Sequence, residues 1–108
     1  MVVPVEVTAT HGDTCAVRVL GCELRMRCYN GQSRGAAFAC LRAQDLALGE
    51  RGIAARVQSV TYEGGRFRVE AAADGAAQML HFHATEPCTL NRGDAVRLDV
   101  GDGWVIPR

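Results

Sequence analysis

His81 and His83 stand two residues apart in a stretch that alternates apolar and polar from Leu80 onward, so as a strand it would send both imidazoles from the same face. Such a pair holds a metal only with a third ligand. His11 and Glu86 are contributors from other segments, yet nothing in the spacing brings either to the pair, and no metal site is assigned. The five cysteines, Cys15, Cys22, Cys28, Cys40 and Cys88, are odd in number, contain no C-x-x-C pair and sit among apolar neighbours. They read as small core residues in a reducing compartment, not as a disulfide framework or a structural zinc site. Ser33 and Ser59 fall into no G-x-S-x-G elbow with the histidines. All 12 basic residues are arginine, and a chain without lysine cannot form the phosphate loop G-x-x-x-x-G-K-[ST]. The expectation is a chain with no catalytic apparatus and no cofactor of its own.

Charge narrows the partners. Twelve arginines balance 12 acidic residues, so the chain lacks the one-signed field that draws a protein to nucleic acid or anionic lipid. Tyr29, Phe38, Tyr62, Phe67, Phe82 and Trp104 are scattered, whereas a single-strand groove needs clustered stacking platforms among basic residues; no nucleic-acid partner is expected. No apolar run reaches the roughly 18 residues of a membrane helix, and the start carries no signal-peptide core. A soluble, cytoplasmic chain is expected.

The elements that position these side chains are strands. Apolar residues recur with period two and turns interrupt them every eight to twelve positions, the rhythm of a barrel or sandwich. Val3, Val5 and Val7 alternate with polar neighbours before the His11-Gly12-Asp13 turn. Cys15 to Leu20 reverses at Gly21 into Cys22 to Cys28, and Tyr29 to Ser33 is a polar loop. Gly35 to Arg42 is a small apolar run that suits a strand buried on both faces, and Ala43 to Leu46 fits one short helical turn. Ile53 to Tyr62, Arg66 to Ala73, Met79 to His83, Ala95 to Val100 and Trp104 to Ile106 follow as strands, separated by Gly- and Pro-bearing breaks. No stretch carries ten residues of helical periodicity.

The two halves repeat. Arg34-Gly35-x-Ala37-x-x-x-Leu41 and Arg92-Gly93-x-Ala95-x-x-x-Asp99 stand 58 residues apart, and Asp45-Leu46-Ala47-Leu48 falls against Gly103-Trp104-Val105-Ile106 at the same offset. Val5-x-Val7 and Ala55-x-Val57 repeat with an offset nearer 50. The pattern predicts an all-β, OB-like barrel or sandwich built from two pseudo-repeats, about residues 1–49 and 50–108, in a single domain.

Leu41-Arg42-Ala43-Gln44-Asp45-Leu46-Ala47-Leu48 resembles the hallmark of the TOBE domain, the C-terminal module of the ATP-binding subunit of ABC importers for polyamines, iron, sugars and related solutes. Arg42, Asp45 and Leu46 match the family's Arg-Pro-Glu-Asp and apolar strand, while Ala43 and Gln44 replace the Pro and Glu. Gly52 to Gly65 is similar to the family's next strand and hairpin, and Leu90-x-x-Gly93-Asp94-x-Val96-x-Leu98 to its penultimate strand. The likeness runs from Gly35 to the end.

The resemblance implies a bacterial accessory domain, a C-terminal piece of a longer subunit whose ATPase domain lies upstream. Its implied partners are that ATPase domain and a second copy of the subunit, with the transporter's membrane subunits reached indirectly and a small ligand bound in some members. Its implied location is cytoplasmic, against the inner membrane through the transporter. Arg42, Asp45, Leu46 and Trp104 are the candidate interface residues. The competing reading is a small-ligand protein like the molybdate-binding relatives of the fold, which would hold an oxyanion with backbone N–H groups and hydroxyls. Those relatives carry a serine-, asparagine- and lysine-bearing strand opening that this sequence lacks.

Overall fold

A computed structural model describes residues 1–106. The chain runs as β1 (Val2–His11), β2 (Thr14–Val19), β3 (Cys22–Arg27), β4 (Gly35–Cys40), a 3-10 turn (Ala43–Asp45), β5 (Leu46–Gly49), β6 (Ile53–Tyr62), β7 (Arg66–Ala73), β8 (Met79–Thr85), β9 (Ala95–Val100) and β10 (Trp104–Ile106). The strands form a closed barrel, β1-β2-β3-β10-β4, and a five-stranded open sheet, β5-β9-β6-β7-β8. In the barrel β10 runs parallel to β3 and antiparallel to β4, so the architecture is all-β and OB-like.

Alternation in the sequence builds both layers. Val3, Val5, Val7, Val17, Val19, Ala37, Ala39 and Val105 fill the barrel, and Ile53, Val57, Val69, Ala71, Leu80, Phe82 and Leu98 line the sheet. The turn between β2 and β3 has only Leu20 (φ 49°) and Gly21 (φ 80°) between the paired Val19 and Cys22. Two successive positive φ values are those of a type I′ turn, whose twist matches that of the flanking strands. Gly52 (φ 105°) enters β6 so close to β9 that a Cβ there would collide with the Leu98 carbonyl.

The two halves exchange their fifth strands. β5, which follows β4 in the chain, pairs with β9 in the open sheet, and β10, which follows β9, pairs with β4 in the barrel. Each first strand carries a bulge at the equivalent place, Val7/Ala9 in β1 and Val57/Ser59 in β6. Carried outward from these bulges, the pairings set Ala39 against Leu98 and Val105 against Leu48, offsets of 59 and 57. The common offset of 58 expected from the sequence lies between these two values and matches neither strand.

Two further expectations need correction. β4 is buried on one face only: Ala37 and Ala39 point into the barrel while Ala36 and Cys40 are exposed, because the outer face of the barrel has no covering layer here. The cysteines divide by the same phase. Cys15 and Cys28 are core residues, Cys22 and Cys88 are half-buried, and Cys40 is exposed.

Candidate functional site

The loop after β4 and the loop before β10 meet at the mouth of the barrel. There Arg27, Cys40, Arg42, Asp45, Asp102 and Trp104 surround a cleft of about 280 Å³. Strand register sets one wall of it: Cys40 pairs with Trp104 and Trp104 with Arg27, and the same lateral row continues past the cleft to Val2 of β1, which pairs with Cys40. These residues share the outward phase. The row places an exposed valine, cysteine and tryptophan (Trp104 42% exposed) where a barrel exterior is ordinarily polar.

Charge is paired along the rim. Arg27 grips Asp102 with two bonds, Nε to Oδ1 at 2.8 Å and Nη2 to Oδ2 at 2.7 Å, the bidentate geometry that suits guanidinium to carboxylate. The same guanidinium lies 5.1 Å from the centre of the Trp104 ring. Arg42 Nη2 approaches the same Asp102 Oδ2 at 3.9 Å. Gly103 completes the junction without a side chain, since a Cβ there would press on Met26 and Leu41, and its carbonyl accepts the Arg27 N–H at 3.0 Å.

Asp45 is the anchor of the opposite loop. Its side chain is almost wholly buried and accepts the Arg42 backbone N–H at 2.8 Å together with Nε and Nη2 of the same residue at 3.3 Å each. Burial alone would raise its pKa, but the Arg42 backbone and guanidinium, with Arg27 beyond, offset that cost and hold the carboxyl below the usual range. The Arg42 guanidinium is raised in return, first by its hydrogen bond to Asp45 and then by the carboxylate's charge. The Asp45 carbonyl accepts the Gly101 N–H at 2.8 Å, tying the two loops together.

The structure therefore brings together three of the four residues singled out in the sequence, Arg42, Asp45 and Trp104. Leu46 is buried in the core and offers no side-chain surface. Sequence reasoning missed Arg27 and Asp102, 75 residues apart. The outward phase of Arg27 and the Gly101-Asp102-Gly103 turn were visible, but their meeting depends on the exchanged strand.

His81 and His83 do leave the same face of β8, opposite Glu70 and Arg68 of β7. His83 Nε2 lies 3.5 Å from Glu63 Oε1, and burial together with the Arg68 charge lowers the pKa of His81. Among the described residues no group of three or more His, Cys, Asp or Glu is placed to hold a metal. No helix is long and apolar enough to cross a membrane among those residues.

A family model of the TOBE domain matches residues 39–106, which contain both loops of the cleft and both exchanged strands. The chain belongs to the TOBE domain family. Arg27, which contributes half of the strongest ion pair in this TOBE domain's cleft, lies outside the matched segment. A search of curated proteins finds no match. Among solved structures, the TOBE chain is similar to the cytoplasmic molybdate-binding protein ModG in a form with molybdate bound, at 16% identity and a TM-score of 0.74. The superposition covers 98% of this chain and 93% of that one, and establishes a shared fold.

Proposed function

We propose that this TOBE domain is a non-catalytic docking and regulatory module of the ATP-binding subunit of an ABC-type solute importer. In this reading it holds its own ATPase domain and a second copy of the subunit, and touches the membrane subunits only indirectly. The observation that carries the reading is the cleft at the barrel mouth: an exposed apolar row ending in Trp104, rimmed by two arginines and two aspartates that neutralise one another. A patch that is apolar at its centre and carries equal numbers of both charges is complementary to itself under a two-fold rotation, as a contact between like subunits requires. Both guanidiniums are already bound to carboxylates, which disfavours a free anion as the occupant.

A second reading, an oxyanion-binding protein, draws support from the end-to-end likeness to molybdate-binding ModG. Two measurements separate them. Sedimentation equilibrium up to about 1 mM, the weak end of specific association, is expected to show reversible dimers that Trp104→Ala weakens. Calorimetric titration with molybdate is expected to give no heat beyond dilution. A strict monomer that binds molybdate stoichiometrically would reverse the preference. The importer assignment has its own check, a nucleotide-binding domain encoded upstream of Met1.

A further inference from the structure

The bulges of β1 and β6 allow the two halves to be compared position by position. Following the pairings, Arg27 of β3 corresponds to His83 of β8, and Trp104 of β10 corresponds to Ala47 of β5. In the barrel the closing strand seals this seam: Trp104 pairs with Arg27, its ring lies beneath the guanidinium, and Val105 is fully buried. In the open sheet the corresponding strands come close without pairing. β5 pairs with β9 but forms no ladder with β8, and a methyl group stands where the barrel has an indole. Leu48, the counterpart of Val105 and the partner of fully buried Leu98, is 48% exposed. Between Leu46–Leu48 and His83–Thr85 lies a cleft of about 340 Å³, with Pro87, Cys88 and Leu90 along its rim.

We propose that this seam binds a small planar aromatic molecule, its ring lying against His83 as the Trp104 ring lies against Arg27. The walls are suited to it. Leu48, Ala84, Pro87 and Leu90 supply apolar surface, and Thr85 and Thr89 supply hydroxyls for a heteroatom on the ring. The volume falls within the range of small-molecule sites, roughly 300–1,000 Å³. His83 is steadied from the turn before β7 by Glu63. The barrel itself identifies the occupant's chemistry, because the equivalent seam is covered there by an aromatic ring from the same chain. The site lies in the open sheet, away from the Trp104 cleft, and does not rest on the docking reading.

Indole is the probe. Titrated into the full chain and followed by two-dimensional amide NMR, it is expected to produce saturable shifts at 46–48 and 83–85, with Kd about 1 mM or tighter, ordinary for so small a ligand. Ala47→Trp supplies the ring from within and is expected to weaken indole binding at least tenfold while raising the melting temperature. His83→Ala removes the stacking surface without adding bulk, keeps the test alive if the tryptophan variant does not fold, and is expected to weaken binding about fivefold. Absence of saturable shifts in β5 and β8, or binding undiminished in His83→Ala, overturns the proposal.

Discussion

Replacing Asp45 by Asn tests the electrostatic account of the barrel mouth with almost no change of shape. The carboxylate receives three bonds from Arg42, one from backbone and two from guanidinium, and is nearly shielded from water. An amide cannot receive all three, because its NH2 end would face a donor. The loss combines a weakened cap with a charge-assisted bond, and comes to about 2 kcal/mol at neutral pH. For a domain of this size that corresponds to a fall in melting temperature of about 10 °C.

The pH dependence has a definite sign. A folded-state pKa held below the unfolded value of 3.8 means that Asp45 stabilises fully above that value, and its contribution disappears as pH falls through the folded pKa. Wild type and variant should therefore differ by a constant amount from neutral pH down to about 4 and converge below it. His81 acts in another window. Its folded pKa is lowered from 6.5, so both proteins should lose stability together as pH falls below that point. Urea unfolding followed by circular dichroism at a series of pH values reads both effects. A loss under about 0.5 kcal/mol at pH 7, or a difference that persists unchanged at pH 2, would refute the reasoning.

Trp104→Ala should weaken self-association by about 2 kcal/mol or more if the ring anchors the contact, with little change in monomer melting because an exposed cation–π contact contributes only about 1 kcal/mol; sedimentation and calorimetry measure the two separately. Gly52→Ala should lower stability by about 2 kcal/mol or more in urea titration, since it combines a left-handed φ with a backbone collision against β9. In thiol titration at pH 8, Cys40 should react first, whereas Cys15 and Cys28 should react only on unfolding. Burial and the adjacent Cys28 thiol push the Cys15 pKa up to about 12, leaving almost no thiolate.

The strands were legible because each half-buried segment writes its own alternation. Val3-Val5-Val7 announces β1 without reference to anything else in the chain, and the single turn at Ala43–Asp45 is visible as a break between two apolar runs. Pairing between strands has no such local record. The alternation of β5 is satisfied equally well beside β4 or beside β9, and only the packed molecule shows that it joins β9. For that reason Arg42 and Asp45, three residues apart, were found together from sequence, while Arg27 and Asp102 were not. Leu46, a candidate interface residue on the resemblance, is buried, because a likeness in sequence carries positions and not burial. Cys40 was misassigned to the core because the small apolar composition of β4 concealed its outward phase.

The exchanged strands also set an order on biosynthesis. A chain emerging from the ribosome releases β1 to β4 first, yet the edges of β3 and β4 that β10 will cover stay open until all of the second sheet has followed. The barrel, begun before the open sheet, is thus finished after it, and through that interval the nascent chain presents two unpaired edges to its neighbours. β5 waits less long, since its partner β9 belongs to the unit that forms next. A pause in translation between β9 and β10 would prolong the exposed state, so the period when this domain most needs a chaperone falls just before its closing strand appears.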